Sequence, residues 1–372
     1  MLRVAHIVPS LARADAGTSY SVPRLAAELI DLGTDQAVFC AGPKHEKTPT
    51  GPVIHFDQRY KNIPVIRNFL FDKNLEVLIN DFNPDVIHNH GAWLWPNIKA
   101  AHVADRLGVP LVCSPRGMLG PGALKFSRQK KRLIWSLAQQ SAFKSVARWH
   151  ATSEKECTDI RAQGFSQPVS VIPNGVDVFD QAANSVGRRE NTILFLGRIH
   201  PKKGVYELIK AWQGLGALTS GWTLKIVGDF ETQYGLKCRR EAVRTVQKNV
   251  SFVGPVYGAQ KFREFRNAAV FILPTKDENF GITVAEALSQ ETPVICTKEA
   301  PWSGLREKNC GWWIDLTEHD LIQSLRTAIL ASDDDLQKMG RNGRLWSERE
   351  FSWASIAKKM IDAYSLEVNA AE

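Results

Sequence analysis

From Arg106 to Ser153 the chain contains no Asp or Glu, although nine Lys and Arg fall in that stretch. Those nine cations outnumber the net +8 of the whole 372-residue protein. So local an imbalance calls for an anionic partner: phosphate, a nucleic acid or an acidic lipid face. No apolar run reaches the roughly 18 residues of a membrane span. The opening Met1–Pro9 reads as a first strand, broken too early by Pro9 and Ser10 for a secretory leader, so a cytoplasmic location is expected. The six cysteines stand at least fourteen positions apart, without CxxC or a Cys/His pair at zinc spacing, and read as reduced structural thiols. Neither G-x-G-x-x-G nor a Walker loop occurs, which argues against a nicotinamide-dependent oxidoreductase. There is no short-period repeat or low-complexity segment.

What the chain does have is alternation. Short β-branched runs at Arg3–Val8, Gln36–Cys40, Asp85–His88, Pro110–Cys113, Arg148–Ala151 and Val169–Ile172 are separated by amphipathic stretches such as Tyr20–Leu32, Ala100–Leu107 and Leu124–Val146. This predicts βαβ units and a parallel sheet. A polar segment, Phe179–Asn191, reads as a linker. Strands then resume at Thr192–Leu196, Leu224–Val227, Val250–Val253, Ala269–Leu273 and Val294–Cys296. The expected fold class is α/β, with two doubly wound Rossmann-like domains facing each other across a cleft. The expected domains are 1–178, 179–350 and a C-terminal helix, 351–372. Trp353, Ile356, Met360, Ile361 and Tyr364 lie near one face of that helix, which could cap the second domain or cross back to the first.

Ligands of such sheets bind beyond the carboxyl ends of the strands, and four windows place chemistry there. In residues 271–297, a strand stops at Pro274, Gly281 opens a helix, Glu278 sits in the loop and Glu286 inside the helix. Amides near Phe280, Gly281 and Ile282 form an anion site; the two carboxylates suit hydroxyl groups. In residues 193–212, Gly197 ends a strand, Arg198 follows, and Lys203-Gly204 opens a helix. In residues 85–97, His88 and His90 share a face if the strand continues through both. If it ends at His88, His90 is freed into the loop, and no third ligand lies within motif distance for zinc. Ala16-Gly17-Thr18 before the first helix would let backbone approach a phosphate.

Within the acid-free stretch, Lys125, Arg128, Lys130, Lys131 and Arg132 mix with Phe126 and Trp135 and read as a membrane-facing helix. Arg116, in Ser114-Pro115-Arg116-Gly117-Met118, stands at another strand end, where an anionic acceptor could dock. Asp333-Asp334-Asp335 precedes a helical run and reads as an N-cap rather than a metal site.

Together these windows resemble the retaining glycosyltransferases of family 4, with the glycosyltransferase B fold, over nearly the whole chain. Glu278 and Glu286 match that family's Glu, seven residues, Glu element. Gly197, Arg198, Lys203 and Gly204 match its GR…KG element. Ile172-Pro173-Asn174-Gly175-Val176-Asp177 resembles its interdomain segment, and Gly228-Asp229 and Phe252-Val253-Gly254 its nucleotide-side strand ends. The resemblance implies that Arg198 and Lys203 hold the diphosphate of a UDP or GDP sugar and that Glu286 binds the ribose. Glu278 would contact the donor sugar with the amides of Phe280 to Ile282, and Val253 would line the donor site. His90 would hydrogen-bond the sugar, Gly17 would approach the phosphates, and the last helix would return to the first domain. HGAW and SPRGM further resemble members that build bacterial exopolysaccharide or lipopolysaccharide, with a saccharide acceptor that can be lipid-linked at the inner face of the plasma membrane. The sequence departs from the family at Ala16-Gly17, where two glycines are usual, and at Glu291, where a small residue is usual.

A cationic clamp stabilises a leaving diphosphate where its charge develops, so no metal or other cofactor is expected. No second carboxylate is placed for a double displacement, which favours front-face attack with retention. An epimerase on the same fold is the first rival. A polyanion-binding module using residues 106–153 is the second, and it leaves Glu278 and Glu286 without a task; nucleic acid is not an expected partner.

Overall fold

The computed structural model describes residues 1–11, 17–42, 53–56, 73–178, 189–244 and 248–371. They form two compact units, Met1–Gly175 with Trp353–Glu372, and Val176–Ser352.

In the first unit β1 (Arg3–Val8), α1 (Gly17–Asp31), β2 (Asp35–Ala41), β3 (Val53–Phe56), α2 (Lys73–Phe82), β4 (Val86–His90), α3 (Trp95–Leu107) and β5 (Leu111–Ser114) follow one another. Then come α4 (Pro121–Lys125), α5 (Arg128–Ile134), a π turn (Trp135–Gln139), α6 (Gln140–Lys144), β6 (Val146–Ala151), α7 (Glu154–Ala162) and β7 (Val169–Val171). The strands pair in parallel in the order β3-β2-β1-β4-β5-β6-β7.

The second unit holds β8 (Glu190–Leu196), α8 (Val205–Gly214), β9 (Thr223–Val227), α9 (Gln233–Ala242), β10 (Val250–Val253), α10 (Gly258–Asn267), β11 (Ala268–Leu273) and α11 (Ile282–Ser289). It continues through β12 (Val294–Thr297), α12 (Gly304–Glu307), β13 (Gly311–Ile314), α13 (Glu318–Leu330) and α14 (Asp333–Phe351). Its sheet order, β10-β9-β8-β11-β12-β13, is the doubly wound nucleotide-binding arrangement. The central strands β4 and β11 are buried along their whole length, because helices cover both faces of each sheet.

The last helix, α15 (Trp353–Ala371), belongs to the first unit. Its Trp353, Ile356, Met360 and Tyr364 pack with Leu25 and Leu29 of α1 over Val4, Val86 and Val112 of the sheet. Burying side chains of this size contributes roughly 1.5–3 kcal/mol each. Gly175 makes room for this packing, since a Cβ there would lie 2.2 Å from Trp353 Cε3.

Several sequence expectations need correction. The Leu124–Val146 stretch is not one helix. Phe126 is extended, Ser127 adopts φ +54, and the π turn interrupts the rest. Trp135 turns inward against Trp93, Phe143 and Phe165 rather than outward. The Asp333–Asp335 run lies in the first turn of α14, where it favours the helix dipole, while Ser332 is the cap, accepting from Asp335 N at 3.1 Å. Residues 179–188 of the expected linker lie outside the described residues. At its end β8 starts at Glu190, and Arg189 is an anchor: it donates to the carbonyls of Phe265, Arg266, Ala268, Gln290 and Glu291 and to Thr292 Oγ1. β3 and β13 were not anticipated; both are four-residue strands at the edges of their sheets.

Candidate active site

In the second unit the strand order reverses between β8 and β11, and two loops leave the carboxyl ends of these neighbours. The first carries Gly197, Arg198 and a 3-10 turn at Pro201–Lys203. The second runs from Pro274 to Gly281. They are bound together. Lys276 N and Thr275 Oγ1 donate to Lys202 O at 2.7 and 3.1 Å, Lys202 pairs with Asp277 at 2.7 Å, and Lys203 forms an ion pair with Glu278. Gly204 permits the approach: it adopts φ +70, and a Cβ there would sit 2.0 Å from Pro274 O. Arg198 is exposed and pairs with no acid among the described residues.

Behind these loops Glu286 is 1% exposed inside α11. Burial pushes its carboxyl pKa up, against the opposing pull of the adjacent Lys261 ammonium, while Asp177 pushes it further up. Lys261 forms an ion pair with Oε1, whereas Oε2 is buried without a partner, an open acceptor. Phe280 is buried and its carbonyl accepts from Trp302 Nε1. Gly281 adopts φ +80 and precedes α11 with no side-chain cap, so the backbone at Gly281 and Ile282 forms a bare helix start. Val253 ends β10, and its carbonyl accepts from Gly228 N at 3.0 Å.

In the first unit the strand order reverses between β1 and β4. β4 continues through His90, so His88 and His90 share a buried face, their ring centroids 3.9 Å apart. His90 is therefore not freed into the loop. Its Nε2 meets His6 Nδ1 and its Nδ1 meets Arg116 Nη2, each at 3.0 Å. His6 Nε2 meets Gln36 Oε1 at 2.8 Å. A second line runs beside it: Tyr364 to His88 Nδ1 at 2.6 Å, His88 Nε2 to Ser114 Oγ at 2.7 Å, Ser114 to His150 Nδ1 at 2.7 Å, and His150 Nε2 to Ile172 O at 2.8 Å. Burial drives all four imidazole pKa values down, to about 4 for His6 and about 3 for His150, and the Arg116 charge lowers them further. They are neutral at pH 7.

His6 also supplies the third imidazole that short-range spacing did not reveal. The ligand atoms of His6, His88 and His90 lie within 4.8 Å of one another. Their nitrogens already hold hydrogen bonds and a guanidinium stands beside them, so the trio fits a hydrogen-bonded core better than a cation site.

Two family models divide the chain between them. The model described as Glycosyltransferase Family 4 matches residues 16–178, and that described as Glycosyl transferases group 1 matches residues 179–346. The chain belongs to glycosyltransferase family 4. Among its relatives, a glycogen synthase of Mycobacterium tuberculosis is 27% identical over 76% of this chain and 69% of its own length. A GDP-mannose:cellobiosyl-diphosphopolyprenol alpha-mannosyltransferase of Xanthomonas campestris is 26% identical over 75% of this chain and 73% of its own. The crystal structure of Anabaena HepE with UDP and glucose aligns with a TM-score of 0.76 at 18% identity, covering 98% of this chain and 100% of that one. That of WaaG, a glycosyltransferase involved in lipopolysaccharide biosynthesis, aligns at 0.72 and 18%, covering 97% and 99%. The fold is thus GT-B.

Two positions were expected from the sequence to depart from the family pattern. Glu291 adopts φ +60, a conformation that favours glycine; its carbonyl is held by Arg189 at 2.9 Å. Gly17 begins α1, exposed and with open space around it, while Ala16 lies outside the described residues. Sequence reasoning missed Lys261, which reaches Glu286 from a different helix, His6, which reaches His90 from β1, and Gln36, which reaches His6 from β2; nothing in their neighbours along the chain signalled a partner. The basic segment is largely exposed, with Phe126 77%, Leu133 53% and Leu137 65% exposed among its cations. Lys131 is the exception, lying over the Trp93 ring at 5.3 Å.

Proposed function

We propose that this glycosyltransferase moves a hexose from a nucleotide-diphosphate sugar to a hydroxyl of a saccharide acceptor, with retention at the anomeric carbon and without a required metal. We place it in bacterial surface polysaccharide assembly, a reading supported by the likeness to WaaG, a glycosyltransferase involved in lipopolysaccharide biosynthesis, and to a mannosyltransferase that acts on a cellobiosyl-diphosphopolyprenol. The observation that carries the reading is the joining of the Arg198–Lys203 and Glu278–Gly281 loops at the β8/β11 reversal, with the unpartnered oxygen of Glu286 beneath.

In this reading Arg198 and Lys203 take the diphosphate, Lys203 exchanging part of its pairing with Glu278 as the anion enters. Glu286 Oε2 accepts a ribose hydroxyl, and Val253 lines the base side. Glu278 and the backbone from Phe280 to Ile282 face the sugar. The bond from the anomeric carbon to the diphosphate oxygen breaks as the acceptor oxygen forms its own bond on the same face. The acceptor's proton leaves with the diphosphate, whose charge the Arg198 and Lys203 cations stabilise. The first unit supplies the acceptor side. Both His90 nitrogens are occupied, so a sugar contact through this ring would require exchange of its Arg116 bond. Gly17, at the start of α1, is the backbone approach to phosphate.

The exposed cations Lys125, Arg128, Lys130 and Arg132, with Lys131 behind them and Phe126, Leu133 and Leu137 between, suit an anionic membrane surface, each cation contributing about 1 kcal/mol. Among the described residues no helix is long and apolar enough to cross a membrane, so the contact would be peripheral.

The test is to screen UDP and GDP sugars for thermal stabilisation, then to measure turnover of Arg198→Ala and Glu286→Gln with the best donor. Near-normal rates in both variants would refute the clamp.

A further inference from the structure

Arg116 is a cation that the first unit holds without neutralising. It follows β5 with φ +56, and Gly117 follows it with φ +75. A non-glycine residue in this region costs about 1–3 kcal/mol and persists only where its surroundings over-determine it. Here Glu156, 1% exposed, does so: it accepts Gly117 N at 2.6 Å, and Thr152 N and Oγ1 at 2.7 and 2.8 Å. The charge of Glu156 acts on Arg116, but both its oxygens are committed to holding the loop rather than to an ion pair with the guanidinium. The guanidinium itself gives Nη1 to Asn174 Oδ1 at 2.6 Å and Nη2 to His90 Nδ1 at 3.0 Å, both neutral acceptors. Its Nε is buried without a partner, and it forms no ion pair among the described residues. Burial without a counter-ion is expensive for any charge.

Hydrogen-bond chemistry assigns every proton in the chain behind it. Arginine only donates, so His90 Nδ1 accepts and His90 carries its proton on Nε2. That proton goes to His6 Nδ1, which places the His6 proton on Nε2, directed at Gln36 Oε1. Gln36 Nε2 donates to Thr34 Oγ1 at 2.7 Å, and Thr34 donates to Leu29 O at 2.6 Å. The chain begins at a group that cannot accept and ends at one that cannot donate, so its direction is fixed. Each ring is held neutral and in one tautomer, and none supplies the missing negative charge.

We propose that Arg116 is the receptor for a phosphate group of a substrate, at the carboxyl edge of the first unit's sheet, and that His90, His6 and Gln36 are positioning residues that aim it. The inference rests on the transferase reading for the word substrate and deepens it by naming the group the first unit takes. The phosphate can come from the acceptor or from the donor's diphosphate.

The test uses the full-length protein with inorganic phosphate, UDP and GDP as separate probes in calorimetry, and ring 15N NMR for the histidines. Arg116→Gln is expected to weaken phosphate binding at least tenfold, while Arg116→Lys, which keeps the charge, retains part of it. His6→Gln is expected to weaken it roughly fivefold, the worth of about one net hydrogen bond. In the unaltered protein at pH 7, His6 and His90 should both show the Nε2–H tautomer. UDP and GDP affinity falling with phosphate affinity in Arg116→Gln assigns the group to the donor; nucleotide affinity unchanged while phosphate affinity falls assigns it to the acceptor. Phosphate and nucleotide affinities both unchanged in Arg116→Gln overturn the receptor. An Nδ1–H tautomer at either histidine overturns the positioning chain, and that readout stands even if the variants fold poorly. A protein that binds phosphate at Arg116 yet no nucleotide would sink the transferase reading alone.

Discussion

The two units solve the same problem, polar chemistry at the ends of a buried parallel sheet, in opposite ways. The second unit uses opposed charges: Lys203 with Glu278, Lys202 with Asp277 and Lys261 with Glu286. The first buries neutral imidazoles in two hydrogen-bonded lines and leaves one guanidinium without an acid. Ion pairs can exchange partners when a charged ligand arrives. Neutral imidazoles hold geometry but fail when protonated. The second unit is therefore built to trade contacts with an anion, and the first to hold a fixed orientation.

The largest break in this contrast is expected from the second unit's buried anchor. Arg189→Met removes the one donor that five carbonyls and the Thr292 hydroxyl share; Thr292 Oγ1 keeps its bond to Phe265 O at 2.7 Å, but the carbonyls of Arg266, Ala268 and Glu291 lose this partner, and the variant should be destabilised by about 3–5 kcal/mol in urea unfolding. Next, Arg198→Ala should lower kcat/KM at least about a hundredfold, roughly 2.7 kcal/mol, with little change in unfolding midpoint because this side chain is exposed.

Acid comes third, and it should strike the first unit. A histidine whose folded pKa is depressed contributes stability fully present above its unfolded value near 6.5, lost as pH falls toward the folded value. For His6, at about 4 when folded, the loss between pH 8 and pH 4.5 is about 2–3 kcal/mol. His6→Gln should reduce the proton uptake on unfolding by about one, read from the slope of stability against pH. A profile as steep in the variant as in the parent would refute neutral burial. The smallest effect is at the surface: Lys130→Glu with Lys131→Glu should weaken flotation with anionic vesicles by about 1 kcal/mol per cation, and unchanged flotation would count against the membrane contact.

The sheet strands and the loops of Arg198 and Glu278 were legible because each is a local pattern: an apolar run, a stop at Gly or Pro, then a charge. Where the reading failed, the deciding contact lay elsewhere in the chain. His6 and His90 meet across 84 positions, and His88 and Tyr364 across 276. The Leu124–Val146 stretch has helical periodicity throughout, yet the core claims Trp135 and Gln139, whose Oε1 accepts Trp93 N at 2.7 Å. Arg189 looked like linker because its partners, at 265–268 and 290–292, are carbonyls and one hydroxyl that only the folded sheet brings together.

The placement of α15 also sets an order of events during synthesis. The face of the first sheet around Val4, Val86 and Val112 is closed in part by residues 353–364. A ribosome releases those residues only after Val176–Ser352, so the half of the protein made first cannot finish folding until the second unit has been made, while Val176–Ser352 has its whole core available earlier. Nascent chains halted before Trp353 should yield a protease-resistant second unit and a first unit that is still digested.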